Sequence, residues 1–139
     1  MEPLKPILFI KSEKRTPGPS PDFCSALVKA GFQVTIMDIS EIGCLVTGYT
    51  PAFAIASLPG CRESDLQLCR LLIRLISAPV IVISPLDDVE NRIAALDAGI
   101  VDYLVSPVNP LIVAALVRNF LQRHPQNTTR REKPLSLCC

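Results

Sequence analysis

Pro79-Val80-Ile81-Val82-Ile83-Ser84 runs straight into Pro85-Leu86-Asp87-Asp88-Val89-Glu90. Four consecutive β-branched residues are too short for a buried helix and too uniformly apolar for a strand with one wet face. They read as a strand covered on both sides, as in parallel sheets. Asp87 with Glu90 three residues on is a capping-box pattern, which opens a helix through Ile93, Ala94 and Leu96 that stops at Gly99. A buried strand delivered into a helix is half of a β-α-β unit, and the rest of the chain repeats it.

Ile7-Leu8-Phe9-Ile10 is a second run of this kind and gives the first strand. Ser20 as N-cap and Pro21 in the first turn start a helix over 21–30, with Phe23, Leu27, Val28 and Ala30 as its apolar stripe and Gly31 as its stop. Phe32 to Ile39 alternates through Phe32, Val34 and Ile36, as a strand near the sheet edge does. Residues 41 to 49, interrupted by Gly43 and Gly48, carry no clear helix pattern. Phe53-Ala54-Ile55-Ala56-Ser57 is strand three, turned by Leu58-Pro59-Gly60. Ser64 and Gln67 form a second capping box for a helix to about Ser77, with Leu66, Cys69, Ile73 and Ile76 on one face. Tyr103-Leu104-Val105 is strand five, and Asn109-Pro110 caps a last helix to about Arg123.

Five units in alternation predict an α/β fold, a doubly wound five-stranded parallel sheet in the order 2-1-3-4-5 with helices on both faces. Residues 1–124 make one domain, and 125–139 a basic polar tail or linker. In such a sheet the functional crevice opens beyond the carboxyl ends of the strands where the order reverses, here after strands one and three. Lys11, Ser12, Glu13, Ser57, Ser84 and Ser106 are thereby placed on one rim.

Composition narrows the chemistry. The 139 residues are 49% hydrophobic and 19% charged, a packed domain rather than a disordered chain, with a formal net charge of +1 that leaves no overall nucleic-acid footprint. Arg123, His124, Arg130, Arg131 and Lys133 form a local basic excess at the end, read as a solvated tail. No apolar run is long enough to span a membrane and no signal-peptide pattern opens the chain, so the expected location is cytoplasmic and the Asn127-Thr128-Thr129 sequon carries no weight. The six cysteines (24, 44, 61, 69, 138 and 139) include no CxxC pair, and the single His124 is not spaced as their partner; no metal site and no cofactor are implied. Cys138-Cys139 is too short a match to signal lipidation.

Pro79-Val-Ile-Val-Ile-Ser84, Ala94-Ala-Leu-Asp-Ala-Gly99 and Asp102-Tyr-Leu-Val-Ser-Pro107 resemble the fourth strand, fourth helix and fifth strand of response-regulator receiver domains in two-component signalling. The resemblance covers about residues 5 to 124 and implies the flavodoxin-like fold. In that family an acidic pair after strand one and an aspartate ending strand three hold magnesium, and this aspartate accepts the phosphoryl group. A Ser or Thr after strand four and a Lys after strand five bind the phosphoryl oxygens. Those positions here carry Lys11-Ser12, Ser57, Ser84 and Ser106, and only Ser84 keeps the family's chemistry. Glu13 stands one step late, and counting back from Pro59 selects Ile55 in place of Ser57; neither is an aspartate. The resemblance also assigns Tyr103 to the switch aromatic, whose ring turns inward on phosphorylation, and Pro107 to a proline that often follows a cis peptide.

Together these readings predict an atypical, phosphorylation-independent receiver, not an enzyme, that acts through a protein surface. The last helix carries an apolar band, Ile112, Val113, Leu116, Val117, Phe120 and Leu121, wider than one core stripe. Val113, Val117 and Phe120 are expected in the core. Ile112 and Leu116 are expected at the centre of a homodimer or partner contact on the face of helix four (from Asp87), strand five and helix five (the last), beside Arg92, Asp97, Asp102 and Arg118. Receivers commonly precede a winged-helix DNA-binding domain, so regulation of transcription through such a domain outside this chain is a further expectation. Two alternatives stay open: a conventional phosphorelay receiver with a shifted acidic site, and a small-ligand module using the same crevice, although no glycine-rich phosphate loop is present.

Overall fold

The computed structural model describes residues 5–11, 18–44, 51–59 and 63–123. Its strands are β1 (Lys5–Lys11), β2 (Phe32–Asp38), β3 (Phe53–Ser57), β4 (Val80–Ser84) and β5 (Asp102–Val105), and its helices α1 (Pro21–Lys29), α2 (Glu63–Ile76), α3 (Val89–Asp97) and α4 (Pro110–Arg123). All pairings are parallel and the order is β2-β1-β3-β4-β5, as the alternation predicted. A 3-10 helix, Ile39–Cys44, follows β2 where the sequence held no clear α-helix pattern.

Alternation along the central strands explains why they are apolar at every position. Leu8, Ile10, Ala54, Ala56, Val80 and Val82 join one core cluster with residues of α2 and α3, whereas Ile7, Phe9, Phe53, Ile55, Ile81 and Ile83 join the other with residues of α1 and α4. A period of two with both faces covered leaves no position for a polar residue until the strand ends. Ser57 and Ser84 stand at those ends.

The helix boundaries rest on capping. Ser20 Oγ accepts the Phe23 N–H at 3.1 Å, and Asn109 Oδ1 accepts the Leu111 N–H at 2.9 Å, both at the expected caps. Gly31 and Gly99 have φ of +99° and +112°, the left-handed geometry that ends α1 and α3. Two caps differ from the sequence reading. The N-cap of α3 is Asp88, whose Oδ1 accepts the Asn91 N–H at 2.7 Å, so Asp87 lies one residue outside the helix. Helix α2 already starts at Glu63, which puts Ser64 inside the first turn rather than at the cap.

Burial also corrects three stripes. Helix α1 buries Phe23, Ala26 and Leu27 and leaves Val28 half exposed, because its inner arc faces α4 and β2. In α2, Leu68 and Leu72 are buried with Leu66, Cys69 and Ile76, while Ile73 is only partly covered. In α4 the core face is Val113, Ala114, Val117 and Leu121; Phe120 is half-buried, its ring edge-on to Phe53 with centroids 5.6 Å apart. Cys69 is buried, and Cys24 is half-buried as a free thiol. Among the described residues no helix is long and apolar enough to cross a membrane.

Candidate functional site

The crevice at the sheet's carboxyl edge is built by ladder register. Lys11 ends β1 and is the ladder partner of Asp38 in β2 on one side and of Ser57 in β3 on the other. Ser57 is in turn level with Ile83, and Ser84 with Val105. Ile55 is fully buried within the core cluster and Ser57 half-buried at the strand end, so of the two candidate positions on β3 only Ser57 reaches the rim. Ser12 and Glu13 lie outside the described residues, as do Gly60, Cys61 and the tail from 124 to 139.

Lys11 does not extend into solvent. Its Nζ is 3.4 Å from Asp38 Oδ1, with the two side chains 20% and 18% exposed. Asp38 Oδ1 is buried and accepts no hydrogen bond, so the ammonium is its compensating group. On the outer side of this corner Glu41 Oε1 accepts the Asp38 N–H at 2.9 Å. Sequence reasoning missed Asp38, because its relation to Lys11 exists only through the β1–β2 register.

A second cluster fixes the loop from β4 to α3. Ser84 is fully buried, and its Oγ accepts the Leu86 N–H at 3.2 Å. Tyr103, 1% exposed, donates its hydroxyl to the Leu86 carbonyl at 2.8 Å. The peptide units on either side of Leu86 are thus held at once, one by a hydroxyl acceptor and one by a hydroxyl donor. Arg92 lies over the Tyr103 ring, 5.5 Å from its centroid, and its Nη2 is 3.5 Å from Asp87 Oδ1. The Tyr103 ring is therefore turned inward. Ser106 joins the same edge through its N–H, which donates to the Ser84 carbonyl at 2.9 Å, and the Ser106-Pro107 peptide is cis as expected.

Magnesium chemistry of the receiver type calls for several carboxylate oxygens converging at the ends of β1 and β3. The described residues at those ends do not supply them. Lys11 brings an ammonium, Asp38 is already paired with it, and Ser57 brings a neutral hydroxyl. Among the described residues no group of three His, Cys, Asp or Glu side chains is arranged to hold a metal ion.

The expected interface residues are distributed differently from the sequence reading. Ile112 is 60% exposed, but Leu116 is half-buried, packs against the core and lines a groove of about 210 Å³ with Val101, Asp102, Asn119, Phe120 and Arg123. This groove lies at the amino end of β5, away from the crevice. Asp102 Oδ1 accepts the Tyr103 N–H at 2.8 Å, while Asp97 and Arg118 are exposed. Leu86, Val89, Ile93, Leu96 and Leu111, between 41% and 70% exposed, lie on α3, just before it, or in the first turn of α4, outside the interface residues that the sequence suggests.

No protein-family model matches the chain. In sequence it is 39% identical over 83 residues to the cyclic di-GMP phosphodiesterase response regulator RpfG of Xanthomonas campestris, covering 58% of this chain and 21% of that protein. It is 36% identical over 63 residues to the response regulator ArlR of Staphylococcus aureus, covering 45% and 29%. The chain thus spans less than a third of the length of these curated relatives. Among solved structures, a CheY-like response regulator receiver domain protein from Methanospirillum hungatei superposes with a TM-score of 0.71 at 19% identity, over 89% of this chain and 98% of that one. An atypical orphan response regulator, described as having a phosphorylation-independent regulatory mechanism, gives 0.65 at 17% identity over 84% and 95%. The fold is that of a response-regulator receiver domain, and the sequence is similar to response regulators.

Proposed function

We propose that this chain is a receiver domain of two-component-type signal transduction that works through its protein surface without aspartyl phosphorylation. The observation that carries this reading is the row Asp38–Lys11–Ser57 across the ends of β2, β1 and β3. Phosphoryl transfer to a receiver is catalysed by positioning a carboxylate nucleophile and neutralising charge around it with a metal ion. Here the nucleophile position holds a serine, and its ladder neighbours Lys11 and Ile83 offer no general base to activate the hydroxyl. The metal position holds an ammonium that repels a second cation.

The conformation on the other side of the crevice supports the same reading. Ser84 Oγ and the Tyr103 hydroxyl are both engaged with the backbone around Leu86, and Arg92 covers the Tyr103 ring. The switch aromatic is held inward by groups of the protein itself. Its position thus does not depend on a trigger at Ser57.

Incubation with magnesium and either acetyl phosphate or beryllofluoride tests the proposal directly. Amide chemical shifts of the chain are expected to stay where they are. Specific shifts at residues 57, 84 and 103 would refute it and favour the conventional alternative with a shifted acidic site.

The working surface is the face of α3, β5 and α4, and its partner is a second copy of this chain. Val89, Ile93 and Leu96 form a continuous stripe along α3, of which only Ala95 is buried, and Leu111 and Ile112 are exposed in the first turn of α4. A short amphipathic helix normally turns such a stripe inward. Apolar residues exposed together on adjacent elements are characteristic of interfaces. Asp97 and Asp102 on one part of this face and Arg118 and Arg123 on another offer complementary charge at the rim when two copies meet across a two-fold axis.

A further inference from the structure

The misfit between this crevice and a divalent cation has a specific cause in the side chains present. We infer that Lys11 is a tethered cation: its ammonium performs internally, for Asp38, the charge compensation that a bound metal ion would otherwise perform, and thereby closes the crevice to divalent ions. The inference rests on the proposed loss of metal-dependent phosphorylation, and it adds the residue responsible and a property that can be switched.

Three features of the corner point to Lys11. Its side chain is not loose, since it is four-fifths buried, with the Nζ directed to Asp38. Asp38 Oδ1 is buried and takes no hydrogen bond, and among the described residues Lys11 brings the cation that compensates it. A buried carboxylate left unpaired is costly and recruits whatever positive charge is available. Finally, the backbone fixes the pair, because Lys11 and Asp38 are ladder neighbours and the Asp38 N–H is itself held by Glu41. Removing the ammonium thus leaves two carboxylates, Asp38 and Glu41, on one strand end, with water-accessible space where the Nζ had been. A lysine is suited to this role because a flexible stem delivers a compact point charge.

The test is a comparison of thermal unfolding midpoints with and without 10 mM magnesium chloride, at constant ionic strength, for the full chain. Wild type and Lys11→Arg are expected to show no magnesium response. Lys11→Met, which keeps the apolar stem and removes the charge, is expected to unfold about 5 °C lower in metal-free buffer and to recover about 3 °C on addition of magnesium. The double variant Lys11→Met with Asp38→Asn removes both charges and is expected to lose that recovery. If Lys11→Met does not fold without metal, refolding on addition of magnesium, absent in the double variant, is the supporting result. The inference is overturned if magnesium leaves Lys11→Met unchanged, if wild type responds as strongly, or if the double variant responds like the single one. None of these outcomes involves phosphoryl donors, so a wild-type response to acetyl phosphate or beryllofluoride would defeat the proposed function separately.

Discussion

Tyr103→Ala is expected to lower the free energy of unfolding by about 3–5 kcal/mol, and Tyr103→Phe by only about 1 kcal/mol. The difference separates two contributions of one side chain. The ring is 1% exposed and packed in the cluster of Val82, Ala95 and Ile100 beneath α3, so truncation to alanine removes most of a large buried surface and leaves a cavity. The hydroxyl contributes one hydrogen bond of 2.8 Å to the Leu86 carbonyl, and its loss leaves that carbonyl to seek water. A domain of this size has a total stability on the order of 5–15 kcal/mol. The alanine variant would therefore be marginal and the phenylalanine variant well folded. Guanidinium unfolding at 25 °C gives both numbers. The functional content lies with phenylalanine: if the hydroxyl holds the β4–α3 loop, amide exchange at Leu86 to Asp88 should accelerate in Tyr103→Phe while the sheet stays protected. Uniform exchange across the domain, or equal losses for both variants, would mean that Tyr103 acts as core alone and fixes no loop.

That hydrogen bond marks where sequence reasoning stops. The strands were legible because parallel strands must be apolar on both faces, which leaves runs such as Val80 to Ile83 that no other element explains. Caps were legible where a single side chain does the work, at Ser20 and Asn109. Where two acidic residues compete, as at Asp87 and Asp88, the pattern alone picked the wrong one, since only backbone geometry shows that Asp88 Oδ1 meets the Asn91 N–H. Ser57 was located by strand length; it stands half-buried at the strand end, while Ile55 is fully buried. The Lys11–Asp38 pair was not legible, because β2 and β1 are separated by a whole helix and their registration is a tertiary fact. The orientation of α3 was also hidden. Its sequence has a helical period, but periodicity reports that apolar residues share an arc and not which way the arc faces; here Ile93 and Leu96 lie outward and Ala95 inward.

That outward arc makes the second large effect an association rather than a folding change. Ile93→Glu combined with Ile112→Glu is expected to convert a species of twice the 15.2 kDa chain mass into one of a single chain mass in sedimentation. Both residues are more than half exposed in the monomer, 51% and 60%, so the substitutions should alter its stability by no more than about 0.5 kcal/mol. In a dimer they would instead bury two carboxylates per subunit against an apolar surface, a cost of several kcal/mol for each unpaired charge. Leu116→Glu is the weaker probe, because Leu116 is half-buried against the core and a charge there would disturb folding as well as contact. Val117→Glu, at a fully buried position of α4, serves as the control for unfolding. Salt adds an independent criterion. A contact held by apolar burial should persist between 0.1 and 1 M sodium chloride, over which the screening length falls from about 10 Å to about 3 Å, whereas one held by Asp97, Asp102, Arg118 and Arg123 should weaken. A wild type that sediments as a single chain, or a double variant that keeps the doubled mass, would overturn the assignment of this face to self-association.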